Sequence, residues 1–460
     1  MSKKSPNLIT RLRWTAYQAL KMRGQARFPF RPLDQIHKEQ ARRVRAMVAY
    51  AYRHVPYYQE TMSRMGLRSS DFETAADLAQ LPIIERDQVQ RDPTYFVSTA
   101  QPLEEYLELR SGGSTGAPRA IYHNAAALFE SRAHGQRERS ILKASVGASA
   151  GHRETIFVPP ITSGMKVGAF CQQHSITPTN LAIERQYLSL LDPPEENLPR
   201  VNAFKPDLWR GYGSYMETLF AYLDATGAPF HRPKAVAYTS DALSAPARRL
   251  IEEKYGIPVF GAYRAIEAFK LGFECQEHNG YHLNIDLYPL RIVGPDGEPL
   301  PPGESGDVIV SNLVNRATVL LNYRLGDLAA TLPGPCACGR TLPRLSVLHG
   351  RNDDWIQLAS GKIVHPQAIR VLFTNESSIW QYRVVQQAPD HFQVAIVSAE
   401  QANPEEMARR ITARFIRQLG SDITVDVAFV ESIERTPGGK LRPILSMAGA
   451  RPLDAGEPTQ

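Results

Sequence analysis

From residue 105 to about residue 350, apolar runs of strand length alternate with helical stretches, and this alternation constrains the fold more than anything else in the chain. Thr155-Ile-Phe-Val158, Ala235-Val-Ala-Tyr238 and Pro258-Val-Phe260 read as strands, with a helix over 244–255 between the last two. Strands that alternate with helices predict an α/β fold built on a largely parallel sheet. Residues 289–325 look antiparallel instead: Leu290–Val293, a Pro-Asp-Gly turn at 295–297, then Asp307–Val310. After Gly350 the character changes. Val384–Gln387, Phe392–Val397, a helix over 404–419 and Thr424–Val430 predict a compact ββαβ-like unit. The expected class is α/β, with a large N-terminal domain of mixed, largely parallel sheets and a small α+β C-terminal domain. The large domain spans 1–350 and opens with a helical arm over 1–54, in which 8–23 and 33–54 read as helices. A polar hinge lies at 351–354 and a small mobile domain at 355–460. A chain of 460 residues suits such a division.

Charge narrows the partners. The whole chain has 53 Lys/Arg and 47 Asp/Glu, but residues 1–50 alone hold 12 and 2. Nucleic-acid binding could therefore rest only on this arm, and no nucleic-acid partner is expected. The arm could touch acidic lipid or a partner protein. The blander expectation is a solvated basic face on a helix packed against the main body. No run of about 18 apolar residues could span a membrane, and no secretory signal is expected at the start. Four cysteines are too few for a disulfide framework, so the expected location is cytoplasmic. A homodimer remains open.

Four segments carry chemistry. Arg110-Ser-Gly-Gly-Ser-Thr-Gly-Ala-Pro-Arg119 can turn sharply and aim N–H groups at phosphate oxygens, with Arg119 adding fixed charge. It is not a Walker A loop, and such a stretch can also be a plain surface turn. Tyr263-Arg-Ala-Ile-Glu267 follows a predicted strand, and the carboxyl end of a parallel strand is where open α/β sheets bind ligands. Glu267 could hold Mg²⁺ or simply be a solvated Glu. Asp327 in Asn322-Tyr-Arg-Leu-Gly-Asp327 can accept from a vicinal diol or merely form a turn. Lys440, on a glycine turn in Glu434–Arg442, can act as a mobile point charge.

In this order the segments resemble the adenylate-forming superfamily of acyl-CoA synthetases, and within it the phenylacetate–coenzyme A ligase branch with its capsule-biosynthesis-like relatives. The likeness runs from His54-Val-Pro-Tyr-Tyr58 through Lys440. It implies an adenylate-forming large domain and a C-terminal lid. It also implies ATP-dependent activation of a carboxylic acid through an acyl-adenylate, followed by thioester formation with coenzyme A. Transfer to an amine or hydroxyl, or a degraded nucleotide-binding scaffold, are the alternatives. Ser111, Gly112, Gly113, Ser114, Thr115, Gly116 and Arg119 match the phosphate loop. Ser240 and Asp241, in Thr239–Leu243, match a loop lining the adenine and acyl pocket. Tyr263 and Arg264 belong to the next nucleotide motif, Glu267 matches the magnesium ligand, Asp327 the ribose contact and Arg351 a further nucleotide contact. Asp353 matches the hinge, and Lys440 the lysine that bridges carboxylate and α-phosphate. Three departures stand out: Arg119 stands where the family loop usually carries Lys, Arg264 replaces a glycine and Ile266 a hydroxyl residue. An aryl or acyl acid is the expected substrate, with Phe157, Pro159, Pro160, Tyr212 and Tyr215 as pocket or core residues.

Cys275-Gln-Glu-His278 and Cys336-Ala-Cys338 predict a structural zinc site, with His282 competing as fourth ligand. Cys171 has no nearby cysteine and reads as core.

Overall fold

A computed structural model describes residues 6–110, 119–147, 151–160, 162–176, 183–346, 350–351, 356–364, 368–369, 371–373, 376, 378–398, 403–435 and 441–447. Ser111, Gly112, Gly113, Ser114, Thr115, Gly116, Asp353 and Lys440 fall outside them, and Arg351 is described in its backbone only.

The expected alternation builds one nine-stranded sheet. Glu184–Ser189, Arg153–Val158, Leu208–Tyr212, Ala235–Thr239 and Val259–Ala265 lie side by side and parallel. Phe269–Glu274, Tyr281–Leu283, Arg344–Leu345 and Thr331–Leu332 continue the sheet antiparallel. Both faces of the parallel half are covered, so strands such as Ala-Val-Ala-Tyr read as continuous apolar runs rather than as alternation. The region that looked antiparallel is so: Leu290–Val293, Gly306–Val310, Tyr323–Ala329 and Gly350–Arg351 form a second sheet. The helix expected at 244–255 is α-helical over Ala245–Arg249 and widens to a π turn over Leu250–Lys254.

The C-terminal segment makes its own four-stranded sheet, ordered Thr424–Phe429, His391–Ser398, Ile379–Ala388, Ile444–Ser446. Helix Pro404–Leu419 starts at the Asn403 cap and turns Met407, Ile411, Phe415 and Leu419 inward, one apolar residue per turn. They join Val384, Phe392, Val394 and Ile396 in a core separate from that of the large sheet.

The arm forms helices Leu8–Met22 and Leu33–His54, as expected. The first lies on helix Ala125–His134, with Trp14 stacked on Phe129 at 5.0 Å and Tyr17 donating to Glu130 at 3.1 Å. Its outer face differs from the solvated basic face expected. Leu8, Ile9, Leu12 and Leu20 point outward, 63%, 77%, 51% and 64% exposed. No helix among the described residues is long and apolar enough to cross a membrane. Cys171 is core, packed with Leu128 and Phe129. Phe157 and Tyr215 are core too, buried with Trp209 and Phe220.

Candidate active site and metal centre

Strand Val259–Ala265 ends in the sequence that carries the motif, and its last residues join the two sheets of the large region. The Tyr263 hydroxyl donates to Asp327 Oδ2 at 2.8 Å. Asp327 lies on Tyr323–Ala329, directly opposite Arg351 in the register. The preceding Gly326 takes φ +83°, and a Cβ there would stand 2.7 Å from the Arg86 guanidinium, so glycine is required. The first residue of the same strand reaches the other half of the site, since the Tyr323 hydroxyl donates to Glu267 Oε1 at 3.4 Å. Arg119 Nη2 donates to that oxygen at 3.3 Å, and both partners are buried. Asn312 fixes the Glu267 backbone by donating to its carbonyl at 2.7 Å. Among the described residues both side-chain contacts fall on Oε1, which leaves Oε2 as a metal donor. Arg119, Tyr263, Glu267 and Asp327 come from distant parts of the sequence and meet in two linked pairs.

Ser240 and Asp241 lie one strand away, at the carboxyl end of Ala235–Thr239. Ser240 is exposed and holds φ +77°, a strained conformation for a residue with a side chain. Asp241 accepts from Ser214 N at 3.1 Å and from Ser214 Oγ at 2.5 Å, at the start of helix Gly213–Thr226. Gly213 lets loop and helix touch, because a Cβ there would come within 2.5 Å of the Ala242 carbonyl carbon. The C-terminal unit meets the large region here. Arg435 Nη2 donates to the Ser214 carbonyl and to Thr218 Oγ1, both at 3.2 Å, and Gln381 donates to Thr218. Leu441 N lies 3.4 Å from Asp241 Oδ2.

Glu217, on the same helix, accepts from Ser244 Oγ at 2.9 Å. Burial pushes its carboxyl up from 4.5 to about 7; the Ser244 bonds and Arg435 pull it down and the Asp241 charge pushes it up. A raised carboxyl pKa favours the folded state while it stays protonated. That stability is present below the unfolded value and is lost as pH rises from 4.5 to about 7. Glu217→Gln removes the loss, so the variant should melt a few degrees above the native protein at pH 8 and no higher at pH 4. Calorimetry across that range checks it; the difference at pH 8 corresponds to roughly 3 kcal/mol.

Arg264 is turned away from these pairs. Its Nη2 donates to both oxygens of Glu138, at 2.6 and 2.7 Å. Ile266 packs partly buried against the main core. Sequence reading missed Glu138, because nothing local links it to a residue 126 positions away.

The cysteine pairs come together, with one correction. Cys275, Cys336, Cys338 and His282 place their ligand atoms within 4.8 Å of one another. Cys275 Sγ lies 3.7 Å from Cys336 Sγ, and Cys338 Sγ lies 3.3 Å from His282 Nε2. His282 Nδ1 faces the Leu342 carbonyl at 3.3 Å, which fixes the tautomer and leaves Nε2 to bind. His278 is not in the cluster. It sits in the turn after Cys275 at φ +49°, with Nδ1 3.2 Å from Arg248 and its ring beside Phe260. His282 is delivered instead by strand Tyr281–Leu283, the direct neighbour of the strand that ends just before Cys275. Three thiols and an imidazole at this spacing fit a closed tetrahedral zinc site, which is structural rather than catalytic.

A family model described as the CapK C-terminal domain matches residues 356–447. Over 414 residues the chain is 25% identical to phenylacetate-coenzyme A ligase of Thermus thermophilus, covering 86% of each. It is 22% identical to protein CapK of Staphylococcus aureus over 428 residues, covering 90% of this chain and 89% of CapK. Among solved structures it shares its fold with a 2-hydroxyisobutyryl-CoA ligase in the postadenylation state. The TM-score there is 0.71 at 19% identity, covering 93% of this chain and 92% of that one.

Proposed function

We propose, from the membership of this chain in the adenylate-forming superfamily, in the branch that holds phenylacetate–coenzyme A ligase and CapK, that it activates a carboxylic acid with ATP and passes the acyl group to coenzyme A. The observation that carries the reading is the convergence of Arg119–Glu267 and Tyr263–Asp327 at the ends of two adjoining sheets. Asp327 would accept the ribose hydroxyls, with Tyr263 orienting its carboxylate. Arg119, with the glycine-rich residues 111–118, would hold the phosphates. Glu267 would hold Mg²⁺, which when bound screens the phosphate charge as the carboxylate approaches. Lys440 would neutralise the two anions as the acid's oxygen bonds to the α-phosphorus and pyrophosphate leaves. Residues 355–460 would act as a lid turning about Asp353, admitting the thiol whose attack on the acyl carbon releases AMP. Leu441 beside Asp241 supports the assignment of this segment to the site. Zinc would sit on Cys275, His282, Cys336 and Cys338 as a structural ion.

ATP–pyrophosphate exchange across a panel of carboxylic acids, followed by thioester formation with coenzyme A, tests the reading. Exchange with none of them would favour the degraded scaffold. The four cysteines form no disulfide, which suits a cytoplasmic enzyme. The exposed apolar face of helix Leu8–Met22, on an arm rich in Lys and Arg, supports a second, peripheral role at anionic membranes. Deleting residues 1–30 should then shift the protein from the membrane fraction to the supernatant.

A further inference from the structure

Helix Gln136–Val146 lies over a group of interior charges that the proposed reaction does not use. Its Glu138 takes Arg264 on both oxygens and Arg210 Nη2 at 3.3 Å. Arg210 Nη1 stands 3.8 Å from Glu154, which also takes Arg185 Nε at 3.0 Å and His152 Nε2 at 2.9 Å. Two more cations adjoin. Arg139 follows Glu138 on the helix and has no hydrogen-bond or ion partner among the described residues. Lys270 stands opposite Arg264 in the strand register and donates to the Ser131 carbonyl at 3.1 Å. Five cations (Arg139, Arg185, Arg210, Arg264 and Lys270) thus share two carboxylates, Glu138 and Glu154.

Arg185 is exposed and Lys270 is only partly charged near neutral pH, but Arg139, Arg210 and Arg264 still outnumber the two carboxylates, and interior charge is costly unless matched, so the group calls for an anion. The field is felt within the group. Burial and then Arg264 push the Lys270 ammonium down to about 7, and burial and then Arg210 push Arg139 down to about 10. The group is open to solvent on one side, with 29%, 18% and 32% of the Arg264, Arg210 and Arg185 side chains exposed. It also adjoins the site, because Arg264 follows the Tyr263 that holds Asp327. Two of the aromatic residues expected to line a pocket or the core, Phe157 and Tyr215, are locked in the core.

We propose that this group recognises a second anionic group on the acid, so that the substrate class is dicarboxylic acids rather than apolar aryl or alkyl acids. The inference rests on the adenylation reading above and deepens it. The test is ATP–pyrophosphate exchange without coenzyme A, comparing succinate, glutarate and adipate with butyrate, valerate and hexanoate. The expected result is a kcat/KM at least about tenfold higher for a dicarboxylate than for its matched monocarboxylate, the worth of one charge-assisted contact. Arg139→Met should lower that ratio through the dicarboxylate KM, and Arg139→Lys should restore it. Preference for monocarboxylates, or a ratio unmoved by Arg139→Met in protein that melts normally, overturns the proposal and leaves adenylation standing. A rise in the KM for coenzyme A in the full reaction, with the acid KM unchanged, also overturns it, because the cations would then serve the thiol's phosphates. Exchange with no acid overturns the inference and the parent reading together.

Discussion

Lys440→Ala should cut ATP–pyrophosphate exchange by about 10²–10³-fold, the usual cost of removing one preorganised charge from a transition state that gains negative charge. The reasoning is electrostatic. An acid carboxylate and a triphosphate repel one another, and the ammonium of a lysine preceded by two glycines in sequence would meet both oxygens at the moment of bond formation. Arginine at 440 keeps the charge but loses the point geometry, so its recovery should be partial. The sharper result is the contrast between half-reactions. Thioester formation from a supplied acyl-adenylate should fall far less in the alanine variant, because the cation has no role once pyrophosphate has left. Equal loss in both steps would sink the assignment.

Metal removal should have the largest effect on stability. Protein purified without chelator should carry about one zinc per chain, and chelation should lower the melting temperature by about 10 °C or more. Structural zinc supplies about 10–16 kcal/mol of folding energy, and each kcal/mol is worth about 1 °C in a chain of 460 residues. Cys336→Ser and His282→Ala should both lose the metal, whereas His278→Ala should keep it. This last comparison separates the site seen in the fold from the one suggested by spacing. Zinc clearly below one equivalent in folded protein would count against the site.

What could be read from the sequence was what is written locally. The helices of the arm, the strands at 155–158, 235–238 and 290–293, and the helix over 404–419 each follow from a period held within a dozen residues. The fourth zinc ligand could not be read that way. Cys-x₂-His is a common knuckle spacing, yet here the turn after Cys275 carries His278 toward Arg248, and strand pairing brings in His282. Pairing partners are non-local, so spacing cannot announce them. The same limit hid the charges around Glu138, since Arg210 and Arg264 reach it from two different strands. The arm misled differently. Its basic count was plain, but which side of the helix would be covered depended on Trp14 finding Phe129, 115 residues further along the chain.

The bridging role of Arg210, between Glu138 and Glu154, bears on how this protein could diverge. Exchanging it alone for an apolar residue removes the link between the two carboxylates but leaves Arg264 on Glu138, and Arg185 with His152 on Glu154. Exchanging either glutamate alone heaps the cations together. Loss of a glutamate before the cations that face it is therefore penalised, whereas loss of an arginine first is not, and a concerted replacement of several members could be neutral. Laboratory evolution that accumulates one mutation at a time should therefore lose an arginine here before either glutamate, and libraries that randomise positions 138, 154, 210 and 264 together should be free of that order.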